Sequence, residues 1–314
     1  MNININTLKS CVRYLCIVIL LSSCATPPPE PPEEMEALLG FLFEHMVDED
    51  PTPLVEGIQT LKKWYEDEDH LQSGQQGFVV NNLPQEALNS LDEVERSSEN
   101  LKGMSVVTKS GYCPQHIAGL LTWEDFGNLL DNFEVYERSF MQESSCFWSR
   151  ECDQIRADSR TVSKWANIIR METKYAIEFR WVYTPDGWAF LHRFWLKEPA
   201  IGDSFGVRMN ANYYIGITLI DGERPLPPLP PNFIETANGF FAGSGDALAG
   251  DSNDYQSQGA LRVHGNWFQV DTGTIPLGDD QILNTLLQNQ RNDSEKHDLF
   301  LDMNPMIPGQ CTSN

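Results

Sequence analysis

Basic side chains are scarce in this chain. Its 314 residues carry 22 Lys and Arg against 45 Asp and Glu, a formal net charge of −23. A surface of that sign repels nucleic acid and anionic headgroups, so no nucleic-acid partner is expected, and the excess acid serves solubility. Membrane-spanning runs are missing as well. The apolar stretch Tyr14–Leu21 (YLCIVILL) is far shorter than the ~20 residues that a spanning helix needs. Metal-ligand spacings are absent. The six histidines (45, 70, 116, 192, 264, 297) stand singly, with no HExxH and no CxxC, so neither a metal site nor a cofactor is expected. There are no internal repeats. Aromatics, in contrast, are plentiful: eight Trp, nine Tyr and sixteen Phe imply a real core rather than disorder.

The first residues read as an address. Lys9 and Arg13 precede the apolar run, and Leu21-Ser22-Ser23-Cys24 follows it. That order is a secretory leader. Its last four residues resemble a bacterial lipobox. The resemblance implies a diacylglyceryl group on the Cys24 thiol, cleavage before Cys24 and acylation of the new amino group. Several chains on one residue give stable membrane anchoring. Ala25 resembles the outer-membrane sorting pattern of Gram-negative lipoproteins. Residues 1–23 are thus read as a signal peptide, and 24–34 as the lipidated cysteine and a Pro/Glu spacer, extended and semi-rigid.

Compartment then sorts the seven cysteines. Cys11 and Cys16 leave with the leader, and Cys24 takes the lipid. Cys113, Cys146, Cys152 and Cys311 remain, an even number in an oxidising space, with three pairings open. Cys146–Cys152 is preferred, closing a loop around Phe147 and Trp148, with Cys113–Cys311 tying the start of the body to its tail.

Residues 35–100 read as a helical segment. MEALLGFLFEHMV (35–47) is an apolar helix, and Leu54, Ile58, Leu61 and Trp64 recur at helical spacing over 53–66. A third helix is predicted over 84–95. After Gly103 the period changes. Strands are predicted over 104–110, 132–141, 161–170, 173–183, 187–196, 205–220 and 260–270, short helices over 114–121 and 123–130, and a closing helix over 278–301 bearing Ile282, Leu283, Leu286 and Leu287. Thr184-Pro185-Asp186-Gly187 between two alternating aromatic runs signals a hairpin. The fold class is α+β: an antiparallel sheet with a C-terminal helix over 101–314, preceded by the helical segment.

This element order resembles the helix-grip fold of START-like domains over roughly 104–301. The resemblance implies a curved sheet wrapped round the last helix, with an apolar cavity between them. The long 221–258 loop and the 146–152 cysteine loop depart from that pattern. On the hairpin, Phe179 and Trp181 share one face, and Trp188, Phe190, His192 and Phe194 share a face of the next strand. Phe179, Trp181, Trp188, Phe190 and Phe194 are therefore the candidate cavity residues, either as ordinary core or as a ligand wall.

Catalytic signals are thin. Gly202-Asp203-Ser204 and Gly250-Asp251-Ser252 resemble the nucleophile block of GDSL-type hydrolases, but neither follows an apolar strand. Ser294, not Asp, stands three residues before His297. Asp246, Asp251, Asn253 and Asp254 carry oxygens suited to Ca²⁺, yet a polar surface loop accounts for them more simply. The sequence reading is a membrane-anchored, non-catalytic envelope protein that binds an apolar or lipid ligand. The alternatives are an assembly protein docking a partner through its N-terminal helices and, more remotely, a hydrolase.

Overall fold

The computed structural model describes residues 28–91, 98–123, 126–129, 133–165, 169–223, 258–276 and 278–304. Cys24, Cys311, Ser252 and the Asp246–Asp254 segment lie outside them.

Three helices open the body: α1 (Met35–Glu44, continued by a 3₁₀ turn His45–Val47), α2 (Thr52–Tyr65) and α3 (Glu68–Gln76). The acidic cluster Glu66–Asp69 follows α2 and starts the next helix. The Asp67 side chain accepts from the His70 N–H at 3.0 Å and so caps α3. Next come β1 (Phe78–Val80), α4 (Gln85–Asn89), β2 (Lys102–Ser110) and α5 (Pro114–Leu121), where Pro114 fits the first turn. A 3₁₀ turn (Phe126–Leu129), β3 (Phe133–Phe140) and a short α6 (Ser144–Trp148) follow. The rest is β4 (Gln154–Trp165), β5 (Ile169–Thr184), β6 (Gly187–Leu196), β7 (Ala200–Ile201), β8 (Arg208–Glu223), β9 (Gln258–Asp271) and α7 (Asp279–Met303).

The strands form one antiparallel sheet in the order β1-β2-β9-β8-β6-β5-β4-β3, with β7 beside β8. The Pro185-Asp186 turn joins β5 to β6 with Thr184 opposite Gly187, which sits at φ 112°, where an L side chain would be strained. The single strand expected over 161–170 is the end of one strand and the start of another. β4 begins at Gln154, and its inward residues Ala157, Ser159 and Thr161 are too small or polar to announce a strand.

Both faces of the sheet are covered. Odd residues of β6, β8 and β9, among them Leu191, Trp195, Tyr213, Ile215, Ile217, Val263 and Trp267, pack on Leu38, Leu39, Leu42 and Phe43 of α1 and Leu54, Ile58 and Leu61 of α2. Arg193, fully buried on this face, donates from Nη1 to the Phe43 carbonyl at 2.6 Å and from Nε to Glu178 at 2.7 Å. Arg180 donates to the Met46 carbonyl at 2.6 Å. Two sheet arginines thus satisfy carbonyls at the C-terminal end of α1, which no helical N–H reaches. The opposite face, called the grip face below, meets α5, the 3₁₀ turn, α6 and α7. All these elements belong to one compact unit, Pro31–Asn314.

Candidate functional site

The strand register gives the grip face two characters. On β5 and β6 it is aromatic. Phe179 lies opposite His192, Trp181 opposite Phe190, and Ile177 opposite Phe194. On β8 and β9 the same face is polar: Tyr214 beside Asn266, Gly216 beside His264, and Thr218 beside Arg262. Pairing of β6 with β8 joins the halves in one row, His192–Gly216–His264.

All five candidate cavity aromatics belong to one cluster. Phe147 of α6 stacks on Trp181 at 5.4 Å and meets Phe179 and Phe190 at 6.4 and 6.2 Å. Trp181 Nε1 donates to the Phe147 carbonyl at 3.0 Å. Phe179, Trp181 and Phe190 are buried, whereas Trp188 and Phe194 are half-buried. Phe194 stacks on Tyr214 with centroids 4.5 Å apart. Around these rings the face is filled by neighbouring rings. A disulfide between Cys146 and Cys152 fixes the loop that carries Phe147. Cys113 is also disulfide-bonded and buried.

The polar half is organised around His264. Its Nδ1 lies 2.6 Å from the Tyr214 hydroxyl, and its Nε2 lies 3.2 Å from Thr108 Oγ1 and 3.4 Å from Ser294 Oγ. One turn further along α7, Arg262 Nη2 donates to His297 Nδ1 at 3.0 Å. A guanidinium only donates, so this contact fixes the proton of neutral His297 on Nε2. Burial holds the His264 and His297 pKa values well below the usual imidazole range, helped by Arg262, and holds His192 at about 3. All three rings are neutral at pH 7. Burial also pushes the Tyr214 phenol upward.

Several buried nitrogens bond to no protein atom: in the polar half Nε and Nη1 of Arg262 and Nε2 of His297, on β6 Nδ1 of His192, and on β3 Nε of Arg138. Arg138 donates to the Leu121 carbonyl and the Tyr136 hydroxyl, and its guanidinium carbon lies 5.1–5.8 Å from the rings of Phe126, Tyr136, Phe140 and Phe179. Unpaired acceptors on this face, Oδ1 of Asn212 and Asn266, lie toward the other end of β8 and β9.

Helix α7 closes the grip largely through polar contacts. Ser294 and His297 are buried, and among the described residues Ile282 and Leu301 are its buried apolar side chains. Of the expected stripe, Leu283, Leu286 and Leu287 are half-buried. Asp298 accepts from Ser110 Oγ at 2.6 Å and from the Gly111 N–H at 3.1 Å, and Asp302 accepts from the Tyr112 hydroxyl. A groove of about 480 Å³ runs along the seam of α7 with β2, lined by Gln75, Thr108, Lys109, Arg291, Ser294 and Asp298 among others. Thr108 and Ser294 line this groove and also lie within hydrogen-bond distance of His264.

Sequence reasoning flagged His192 on the aromatic face but missed Arg262, His264 and His297 as a group. The one available signal is the alternation Arg262-His264-Asn266 on a single face of β9. Ser204 is half-buried, and its hydroxyl donates to its neighbour Asp203 at 3.1 Å, with no base bonded to it among the described residues. Among the described residues, no group of three His, Cys, Asp or Glu side chains could hold a metal ion. Nor is any described helix long and apolar enough to cross a membrane.

No protein-family model and no curated protein matches this chain. Three solved structures resemble it distantly. Ara h 8.0201 is 7% identical with TM-score 0.32, over 64% of this chain and 98% of its own. A START superfamily protein from Mycobacterium smegmatis is 9% identical with TM-score 0.29, over 65% and 96%. The protein of unknown function SA2116 from Staphylococcus aureus is 8% identical with TM-score 0.24, over 66% and 91%. The fold assignment, an antiparallel sheet gripping a C-terminal helix, rests on the strand register and helix contacts and not on these likenesses.

Proposed function

We propose that this chain is an envelope lipoprotein, held at the outer membrane by lipid on Cys24 and displaying its body beyond the 24–34 spacer. The body binds a small, largely apolar ligand between the grip face and α7 and performs no chemistry of its own. The observation supporting the binding reading is the aromatic cluster of β5 and β6, covered by Phe147 of α6 and joined at its edge by Phe300 and Leu301 of α7, a helix whose other buried contacts include the polar Ser294 and His297. An element with few buried apolar contacts opens at low free-energy cost, so ligand entry by displacement of α7 is within reach.

The assembly reading has less support. The apolar face of α1 that motivated it is covered by the chain's own sheet.

Two experiments test the proposal. Metabolic labelling with palmitate should mark the protein and sediment it with membranes, and Cys24→Ser should abolish both; an unlabelled, soluble wild type would refute the anchor. Mass spectrometry of organic extracts of the full-length protein purified from its envelope should reveal a stoichiometric apolar molecule. Absence of any such molecule, together with no saturable uptake of fluorescent fatty acyl probes, would refute the binding reading.

A further inference from the structure

The unpaired donors of the grip face carry chemistry that an apolar ligand leaves unused. Arg262, His297 and His192 are 3, 6 and 8% exposed, and each holds at least one nitrogen with no protein partner. Arg262 Nε and Nη1 are N–H donors by chemistry, and His297 Nε2 is one because its Nδ1 accepts from Arg262. These groups come from two different elements, β9 and α7, and His192 adds a third, β6. The carboxylates near Arg262 are Asp293 and Asp298 on α7. Asp298 is occupied by Ser110 and Gly111, and no carboxylate pairs with Arg262 among the described residues. A buried guanidinium with two open N–H donors and no directly bonded carboxylate among the described residues is a costly arrangement for the protein alone, even with Asp293 and Asp298 nearby. A neighbouring anion would neutralise the charge and occupy the donors together. Side by side with the aromatic wall, the pair of surfaces matches an amphiphile whose two ends differ.

We infer that the grip face binds an amphiphile with an anionic oxygen head, a carboxylate or a phosphate monoester. The head sits against Arg262, His297 and His192, and the apolar body lies beside Phe194, the half-buried end of the aromatic wall. This inference rests on the ligand-binding reading above and adds the head group.

The test uses the full-length protein in zwitterionic phosphatidylcholine nanodiscs. The probes are cis-parinaric acid and its methyl ester, followed by dodecanoate, dodecyl phosphate and dodecanol as competitors. Parinaric acid should bind saturably, at least roughly tenfold tighter than its ester, the scale of one hydrogen bond to a charged group. Arg262→Gln, which keeps a donor for His297, should weaken acid binding roughly tenfold more than ester binding and so erase the preference for acid. The ranking of dodecanoate against dodecyl phosphate identifies the head. Equal binding of acid and ester by the wild type would overturn the anionic head and leave the apolar-ligand reading standing, whereas no binding of any probe would overturn both. The melting temperature of ligand-free Arg262→Gln supplies a second readout. Loss of an unpaired buried charge should leave it unchanged or higher, and a large fall would show that Arg262 is structural and overturn the assignment.

Discussion

Gly216 is the position where the site geometry is most open to a quantitative check. It lies between His192 and His264 in the row that joins the two halves of the grip face. A Cβ there would stand 2.2 Å from His192 Cε1 and 2.8 Å from both ring nitrogens. The imidazole has little freedom to withdraw. It stacks on Phe190 and Phe179 at 5.5 and 6.2 Å, and Tyr214 lies 5.2 Å away on another side. Overpacking in a filled core costs about 1–3 kcal/mol, and replacing glycine by alanine in a strand returns about 0.5–1 kcal/mol of backbone entropy. Gly216→Ala should therefore destabilise the protein by roughly 1–2 kcal/mol. In a His192→Ala background the obstruction is gone. The same substitution should then be neutral or stabilising by about 0.5–1 kcal/mol, a coupling near 2 kcal/mol between the two sites. Urea unfolding followed by tryptophan fluorescence on the four members of the cycle measures it. Equal cost of Gly216→Ala in both backgrounds would mean that the ring does not lie over β8, and the row from which the site is built would fall with it.

Acid should weaken the fold through the same ring. The folded His192 pKa of about 3 lies below its usual value, so its contribution is complete above about pH 6.5 and is lost as pH falls toward 3. Between pH 7.5 and 5.0 the loss is about 2 kcal/mol from His192 alone. Half-buried Asp293 and Asp298, with pKa values raised by desolvation, act in the opposite sense. His192→Gln should shrink the pH dependence of the urea midpoint by that amount, and an unchanged dependence would count against a neutral buried imidazole. Cys146→Ser with Cys152→Ser should cost about 2 kcal/mol, from the loop-closure entropy of so short a loop, and should alter Trp181 fluorescence as Phe147 loosens. An unchanged melting temperature would show that the loop is held without the bond. Arg193→Leu strands Glu178 and the Phe43 carbonyl, so it should cost about 3–5 kcal/mol and accelerate amide exchange in Met35–Glu44. Exchange at the wild-type rate would show that α1 docks by apolar contact alone.

Much of the scaffold was legible because its signals are local. The Pro185-Asp186-Gly187 turn, Pro114 ahead of an apolar helix and the alternating aromatics of β5 and β6 each declare themselves within a dozen residues. What stayed hidden was of two kinds. Some residues serve two elements: the acidic run after α2 both ends that helix and caps α3 through Asp67. Others take their meaning from partners far away in the chain. His192, Arg262 and His297 lie on β6, β9 and α7, and only the β6–β8–β9 register together with the docking of α7 brings them to one place. Periodicity shows that Arg262, His264 and Asn266 share a face of β9. It does not show that both faces of the sheet are covered, which is what turns an ordinary polar face into a buried one.

The two faces treat their arginines differently, and that contrast bears most directly on function. Arg193, on the helix face, is fully buried and has an acid for Nε and a carbonyl for Nη1. Arg262, on the grip face, is almost as deeply buried and, among the described residues, hydrogen-bonds one neutral imidazole, with Asp293 and Asp298 nearby but not bonded to it. Both residues sit in the same sheet, two strands apart. Stability alone gives no reason to pair one so completely and leave the other with open donors, because an unpaired buried charge costs several kcal/mol however it arises. A site that must exchange an anion with solvent does give one. Its cation has to be held in place without a permanent partner, beneath an element that lifts, and α7 with its hydrogen-bonded seam is such an element. The acid-against-ester comparison in wild type and Arg262→Gln decides between these accounts, since only the exchange site predicts that loss of Arg262 removes selectivity while sparing the fold.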